Sequence, residues 1–483
     1  MSESSNGSTD LPDKRNAGSF LQVNPGPRLL LFYVAIFMKI VASALSAIGF
    51  VLGSAVIMII GAVVWLFFLI VLLVIAAPVA DRFLQGGVRW LRSAAIAIAA
   101  VILATSLGII TVLFAAGPVP DRDERAPGTV THLLASLKDV FGYNDAAALS
   151  HQAAENFLDG KNPYAESNIV TATIRFNNST AELTPLRVGR FSGVFPYPDK
   201  AQLDDLWREA LRNPKCIPPE IESKFNYPAG GFLLPAFFIR LGIGDLRLIY
   251  LILTLPVLAY VVVRVRRDLR LLLAGALLIS VELWYAMAAG ETGFLYFPFL
   301  LLAWFLSRRN WWLSALFMAV AVAVKQMAWF LLPFYLVLQF RTLGLKRVLA
   351  SVSIVAGVFF ASNAPFIVSD PSLWVSSVAA PMTDHLFPLG IGAVSPVIGG
   401  VLEVRSPLVF GVLEGIVALA ALLWYFRYCP RYPNTGPVLS VLPLFFAWRS
   451  LWGYFFYMDI IVLTAIMINE YGERPVAPAV VTA

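Results

Sequence analysis

The chain has 483 residues, of which 59% are hydrophobic and 14% are charged. Soluble domains are about half apolar and about one quarter charged, so this composition excludes a water-soluble enzyme, a disordered chain and a disulfide-rich scaffold. Apolar runs recur along almost the whole length, which predicts an all-α polytopic membrane protein. The net charge of +6 is uneven, because residues 118–227 hold 15 acidic and 12 basic residues while the rest is basic. Basic short loops fit the positive-inside rule and argue against a nucleic-acid partner.

The polar segment at the start, residues 1–27, is interpreted as a disordered cytoplasmic tail. Apolar runs follow at 29–49, 53–79 and 93–117. Basic residues between the second and third runs place that loop in the cytoplasm. The third run therefore brings the chain outside, where residues 118–227 are predicted to form a folded extracytoplasmic loop containing short helices.

Nine more apolar runs follow, and every second connection between them is basic, which predicts about 12 transmembrane helices with both chain ends in the cytoplasm. Residues 28–92 are assigned to an N-terminal transmembrane hairpin, residues 93–474 to the main transmembrane domain, and residues 475–483 to a cytoplasmic tail. The nine runs lie near 246–263, 271–289, 293–307, 311–324, 327–340, 348–366, 407–426, 435–448 and 454–470.

The extracytoplasmic loop has its own helical pattern. Residues 141–158 carry Leu149, Ala153 and Phe157 at helical spacing, which predicts an amphipathic helix. Residues 201–212 predict a second short helix. The apolar run from Tyr227 to Ile239 is placed on or in the outer interface, because a full span there would reverse the sidedness of everything downstream.

A large external loop and few intramembrane charges favour an enzyme that acts at the outer leaflet. A solute carrier usually keeps its binding groups near the bilayer midplane on broken, repeated helices. No internal repeat is visible, and the acidic residues are concentrated outside the predicted spans. The sequence therefore favours an enzyme over a transporter.

The predicted helix and the turn after it resemble a known family. Asp145 is followed by Ala153-Ala154, by Phe157-Leu158 and then by Gly160-Lys161-Asn162-Pro163-Tyr164. This order is similar to the first-loop signature of membrane-embedded GT-C glycosyltransferases, and most of all to an uncharacterised bacterial branch of the polyprenyl-phosphate-mannose-dependent mannosyltransferase-like group. Further elements that recur in such sequences are Tyr227-Pro228, Ala323-Val324-Lys325-Gln326 with Pro333-Phe334, Asn363-Ala364-Pro365-Phe366 with Asp370-Pro371, and Trp448-Arg449-Ser450-Leu451 with Tyr454-Phe455.

The resemblance covers residues 93–470 and departs from the family pattern in two places. Two additional apolar runs, within residues 29–79, precede the matching part and are interpreted as an accessory hairpin. Asn144 stands where relatives often carry a second acid, which argues against a paired-carboxylate metal site. No soluble cofactor is implied, and no ligand cluster supports a divalent metal, which the sequence leaves open.

The resemblance implies a donor in which a sugar is linked through phosphate to a polyprenol. The acceptor hydroxyl must lose its proton as it attacks the anomeric carbon, and Asp145 is the candidate general base. The leaving lipid phosphate needs fixed cations, for which Lys325 and Arg449 are the candidates at outer span ends. Each also has a structural interpretation: a solvated helix-terminal acid for Asp145, and interfacial side chains for the two cations.

Further candidate substrate contacts have equally plain alternatives, such as a turn, a span end or an exposed loop. Glu282 lies within a predicted span, where an acidic residue is a functional hypothesis by default, although pairing with a neighbouring helix is favoured. The candidate substrate-binding residues are Asn162, Tyr164, Glu291, Gln326 and His385.

These patterns together predict a hexosyltransferase in the plasma membrane with its site on the extracytoplasmic side. It would transfer a sugar, such as mannose, from a polyprenyl-phosphate donor to a glycan or glycolipid. One alternative is a transporter or lipid flippase, which predicts a midplane charge network on discontinuous helices centred on Glu282 and Lys325. A second alternative is a non-catalytic membrane scaffold, which predicts no deep cavity joining Asp145 to Lys325 and Arg449.

Overall fold

The computed structural model describes residues 26–115, 143–180, 183–214 and 216–471. Almost all of the predicted tail at 1–27, all of the tail at 475–483, and the part of the predicted external loop at 118–142 lie outside these residues.

The part of the chain that the structure describes is overwhelmingly helical. Within it, the only strands are two that contain two residues each, β1 (Leu389–Gly390) and β2 (Arg449–Ser450). The helices in chain order are α1 (Pro27–Val51), α2 (Ala55–Ala76), α3 (Ala80–Leu84), α4 (Val88–Ala115), α5 (Asp145–Leu158), α6 (Pro163–Glu166), α7 (Ile169–Phe176), α8 (Lys200–Arg212), α9 (Gly230–Arg240), α10 (Leu246–Arg264), α11 (Arg270–Ile279), α12 (Val281–Ala288), α13 (Phe297–Leu306), α14 (Trp311–Val324), α15 (Met327–Leu343), α16 (Leu345–Ser369), α17 (Pro371–Thr383), α18 (Ser395–Ile398), α19 (Pro407–Tyr428), α20 (Gly436–Phe445) and α21 (Met458–Asn469).

Seven helical segments are long and apolar enough to cross a bilayer, which agrees with an all-α protein embedded in a membrane. The pair α11 and α12 is bent by 49° and raises the number to eight if it forms one span. The predicted 12 spans stay a prediction, because α13, α14, α15 and α20 have only 10 to 17 residues. The seven segments are Pro27–Val51, Ala55–Ala76, Ala80–Gly108, Leu246–Arg264, Leu345–Ser369, Pro407–Tyr428 and Trp452–Asn469.

The helices α1 and α2 form a close hairpin. A Cβ atom on Gly61 would lie 2.8 Å from the Ser46 hydroxyl, so the glycine permits the two backbones to approach each other. Such close approach is the usual basis of helix association in lipid, where no hydrophobic effect operates between helices. The hairpin shares one hydrophobic core with the later helices, for example through Trp65, whose ring lies 5.7 Å from that of Phe455.

The described part of the predicted external loop contributes Tyr164 and Phe225 to a second hydrophobic core, which also contains Phe232 of α9 and Phe387. Helix α8 confirms the helix predicted at 201–212. Helix α9 has 11 residues, which is too short to cross a bilayer upright and agrees with the absence of a full span there.

The first predicted helix of this loop begins later than the hydrophobic pattern indicates. Residues 141 and 142 lie outside the described chain, and helix α5 begins at Asp145. The reason is that Asn144 adopts an extended conformation and its side-chain oxygen accepts a hydrogen bond from the Ala147 amide at 2.8 Å. A residue in this role caps a helix and fixes its first turn.

Candidate functional site

Asp145 is the first residue of α5 and is half-buried. Its Oδ1 accepts a hydrogen bond from the Ala146 amide at 2.7 Å, and its Oδ2 accepts one from the Thr184 hydroxyl at 3.4 Å. The preceding Asn144 donates its side-chain amide to Glu291 Oε2 at 3.2 Å. The start of α5 is therefore connected to the turn that begins at Glu291.

Lys325 directly follows α14, and its extended backbone ends that helix. The ammonium nitrogen donates a hydrogen bond to the Thr292 hydroxyl and lies 3.7 Å from Glu291 Oε1. It also lies 4.7 Å from the centre of the Tyr227 ring, within the range of a cation–π contact. The predicted residues Lys325 and Glu291 thus form one partly buried pair.

Arg449 lies in β2, which pairs in parallel with β1 so that Arg449 is opposite Leu389. The neighbouring Trp448 donates its indole N–H to the Leu386 carbonyl at 2.8 Å. These contacts fix the position of the Arg449 backbone, from which the half-buried side chain extends. Among the residues that the structure describes, no ion pair to the guanidinium of Arg449 is formed.

The charges of both cations act on the Asp145 carboxyl. Burial raises the pKa of the Asp145 carboxyl above its usual value, whereas the Ala146 amide and the charges of Arg449 and Lys325 lower it. The negative charge of Glu291 raises this pKa further. A carboxylate whose pKa is raised toward neutrality is a better proton acceptor than a solvated one, provided that it remains ionised.

Glu222 was not selected from the sequence, although it belongs to this group. Its backbone N–H donates to the Thr184 carbonyl at 3.0 Å, and its side chain accepts a hydrogen bond from Asn226 at 2.7 Å. Burial raises the pKa of Glu222, the charge of Arg449 lowers it, and the charge of Asp145 raises it. Nothing in the local sequence distinguishes it from the other loop acids; the one usable signal is its position just before the Tyr227-Pro228 element.

Two predicted contacts support the turns around the site. Tyr164 is 1% exposed, and its hydroxyl donates to the Tyr227 carbonyl at 2.9 Å. The side-chain oxygen of Asn162 caps α6 by accepting from the Tyr164 amide at 3.1 Å. Both therefore act on the segment that holds the Tyr227 ring against Lys325, and direct substrate contact stays a prediction.

The Gln326 side chain forms hydrogen bonds within the protein. Its side-chain amide donates to the Asn226 carbonyl at 2.6 Å and to the Val378 carbonyl at 3.0 Å. These bonds join the end of α14 to the Asn226 loop and to α17. Gln326 thus positions Lys325 beside Tyr227, and its predicted contact with substrate is not tested by this geometry.

His385 is exposed and lies in the loop after α17. Its carbonyl accepts a hydrogen bond from the Arg187 amide at 2.7 Å. It lines an open cavity of about 410 Å³ together with Arg187, Phe195 and Arg405. His385 lies four residues before β1 along the chain, and a contact of its imidazole with an acceptor stays a prediction.

Glu282 is buried and paired, as the sequence predicts, but it belongs to a different cluster. Its Oε2 lies 4.0 Å from the Lys39 ammonium and accepts a hydrogen bond from the Trp452 indole at 3.0 Å. Lys325 has Glu291 and Thr292 as its polar contacts instead. The charge network of the transporter hypothesis therefore contains Glu282 with Lys39, and Lys325 belongs to the Asp145 group.

Within the described ranges, no three His, Cys, Asp or Glu side chains are grouped so that they could hold a metal ion. In comparisons with known proteins, no family model, no curated protein and no solved structure matches the chain.

Proposed function

We propose that this protein is a membrane glycosyltransferase of the GT-C type that uses a polyprenyl-phosphate-linked hexose, such as mannose, as its donor. The acceptor is a glycan or glycolipid at the extracytoplasmic face of the plasma membrane. The observation that carries the proposal is that Asn144, next to Asp145, donates to Glu291 at 3.2 Å, and that Glu291 lies 3.7 Å from the Lys325 ammonium. The charges of Lys325 and Arg449 both lower the pKa of the half-buried Asp145.

The group contains the functions that sugar transfer from a lipid phosphate requires. Asp145 accepts the proton of the acceptor hydroxyl as the hydroxyl oxygen forms its bond to the anomeric carbon. The bond between the anomeric carbon and the phosphate oxygen breaks, and the electron pair leaves with the polyprenyl phosphate. Arg449 and Lys325 stabilise the additional negative charge on that phosphate. A single displacement with one base inverts the configuration at the anomeric carbon.

In this scheme the Glu222 carboxylate accepts hydrogen bonds from hydroxyl groups of the sugar. Its carboxylate lies near enough to Arg449 and Asp145 for their charges to change its pKa. Sugar hydroxyls donate hydrogen bonds to carboxylates, so that Glu222 can orient the transferred sugar while Asp145 takes the proton.

The test is sugar transfer in proteoliposomes that contain the purified protein, with a panel of radiolabelled polyprenyl-phosphate sugars and a lipid-extract acceptor. Transfer by the wild-type protein that is lost in Asp145→Asn, and kept in Asp159→Asn at the exposed end of the same helix, supports the proposal. Transfer that continues in Asp145→Asn removes the assigned base.

A second candidate function, transport or lipid flipping, is favoured by one specific observation. The buried cluster of Lys39, Glu282 and Asp459 lies beside the 49° bend between α11 and α12. Charged residues at helix breaks are typical of secondary transporters. Solute or lipid flux that is lost in Glu282→Gln but is kept in Asp145→Asn would favour this function, whereas the opposite result would favour glycosyl transfer.

A further inference from the structure

Lys39 is a charged residue inside the apolar helix α1, and its side chain is completely buried. Its ammonium lies 2.6 Å from Asp459 Oδ2 in α21, donates to the Phe456 carbonyl at 3.1 Å and lies 4.0 Å from Glu282 Oε2 in α12. A buried cation of this kind is costly unless it is paired. The ammonium therefore fixes three segments that are far apart in the sequence.

Glu282 extends this network toward residues 452–454, which form a short 3-10 turn. Its Oε2 accepts the Trp452 indole N–H at 3.0 Å. The Trp452 ring in turn stacks on Phe456, with ring centres 5.5 Å apart. Trp452 is thus held by Glu282, and Phe456 is held by the Lys39 ammonium itself.

The same segment packs directly against the turn that begins at Glu291. A Cβ atom on Gly453 would lie 3.1 Å from Glu291 Oε2, and one on Gly293 would lie 2.7 Å from Phe456 Cε1. There is consequently almost no free space between the segment and this turn. Any shift of Trp452 or Phe456 is transmitted to the carboxylate of Glu291, which pairs with Lys325.

We infer that the N-terminal hairpin is a working part of the proposed site, with Lys39 and Glu282 as positioning residues. They hold the segment from Trp452 to Phe456, which holds Glu291 and thereby sets the place of the Lys325 ammonium. The expected effect on the donor KM rests on the proposed function, whereas the expected effect on the position of Lys325 does not. Lys39 of α1 thus has a role in placing the Lys325 ammonium for the donor phosphate.

The decisive variants remove the Lys39 ammonium, with Lys39→Met, and change the hydrogen bond between Glu282 and Trp452 from either end. Glu282→Leu removes the acceptor without leaving a smaller side chain, and Trp452→Phe removes the donor but retains an aromatic ring. Glu282→Gln keeps an acceptor oxygen and is the conservative rescue. The matched control is Tyr33→Phe, which removes a hydrogen bond of 2.9 Å from the same hairpin to the Leu272 carbonyl, away from the site.

Two measurements on the full-length protein in detergent or proteoliposomes make the test. The first is the rate at which acetic anhydride acetylates Lys325, determined by mass spectrometry relative to the exposed Lys161. The second is KM for the polyprenyl-phosphate sugar, determined together with kcat. A hydrogen bond to a charged group is worth about tenfold or more in an equilibrium, so both the labelling ratio and the donor KM are expected to change by about tenfold.

The expected result is that Lys39→Met, Glu282→Leu and Trp452→Phe change both quantities, whereas Glu282→Gln changes them less and Tyr33→Phe stays near the wild type. Equal behaviour of Trp452→Phe and Tyr33→Phe overturns the inference, even if Glu282→Leu fails to fold. Wild-type values in Lys39→Met also overturn it, because the hairpin would then not position the segment from Trp452 to Phe456. The labelling ratio needs no activity, so that an absence of sugar transfer counts against the proposed function and leaves this test intact.

Discussion

Replacing Asp145 by Asn separates the chemistry of the candidate base from its structural role. The Asn side chain has almost the same volume, and its oxygen can still accept the Ala146 amide that Asp145 Oδ1 accepts at 2.7 Å. What the substitution removes is the negative charge beside Arg449 and Lys325 and the ability to take a proton. We therefore expect a large kinetic effect and a small effect on folding.

The magnitudes follow from the surroundings of the carboxyl. General base catalysis contributes about 10² to 10⁴ in rate, so kcat should fall by this factor in Asp145→Asn. Burial raises the pKa of Asp145, so the folded protein binds this proton more readily than the unfolded chain. Ionised Asp145 thus lowers the stability of the fold as pH rises through its raised pKa. At neutral pH the Asn variant should be at least as stable as the wild type.

The assay is the initial rate of sugar transfer over a pH series, with the midpoint of thermal unfolding measured on the same preparations. The wild-type kcat/KM should fall as pH decreases through the raised pKa of Asp145, since the base becomes protonated. The control Asp159→Asn removes an exposed acid at the other end of α5 and should retain both the rate and the pH profile. A rate in Asp145→Asn within threefold of the control would refute the assignment of the base.

Three further predictions concern the cations and the strand pair. Lys325→Gln should raise the donor KM by about tenfold, as expected for the loss of one charge-assisted hydrogen bond, with initial rates as the measurement. Arg449→Gln should raise the pKa of Asp145, because the arginine charge lowers it, and should therefore move the acid limb of the pH–rate profile to higher pH. Gly390→Ala should lower the free energy of unfolding by about 3 kcal/mol, since its Cβ would lie 2.1 Å from the Ser450 carbonyl oxygen. The control Gly400→Ala, which also has a positive φ but no atom within 4 Å, should lower it by about 1 kcal/mol.

Each of these predictions has an outcome that contradicts it. A donor KM in Lys325→Gln equal to that of Lys161→Gln, which changes an exposed lysine, would remove Lys325 from the phosphate site. An acid limb that stays in place or moves to lower pH in Arg449→Gln would separate Arg449 from Asp145. Equal unfolding free energies for the Gly390 and Gly400 variants would show that the strand pair is not closely packed.

The helices of this protein follow from local sequence, because apolar runs must satisfy their backbone hydrogen bonds internally in a bilayer. The helix predicted at 201–212 is found as α8 for the same local reasons, an amphipathic pattern and a capping box that begins at Asp199. The start of α5 was predicted too early, at Phe141, because periodicity does not mark where a helix begins. Asn144 marks it through the Ala147 amide.

The role of Lys39 is the clearest case of what the sequence does not reveal. One lysine within residues 29–49 scarcely alters the hydropathy of that run, so the run was interpreted as part of an accessory hairpin. Its partner Asp459 is 420 positions away, and no local pattern connects the two residues. Only the packing of α1 against α21 shows that the hairpin is joined to the segment that carries Trp452 and Phe456.

The candidate site shows the same division between side chains that the sequence can select and contacts that it cannot. Glu291, Lys325 and Arg449 stood out as charges at the ends of predicted spans, and Asp145 through the resemblance of its helix and the turn after it. Which of them meet depends on helix packing, which gives Lys325 both Glu291 and Thr292 as contacts. Arg449, in contrast, forms no ion pair within the described chain and is held only through its backbone. A lipid phosphate entering the site would therefore compete with a direct ion pair at Lys325 but only with the more distant charges of Asp145 and Glu222 at Arg449, so the arginine should contribute more to binding this leaving group than the lysine does.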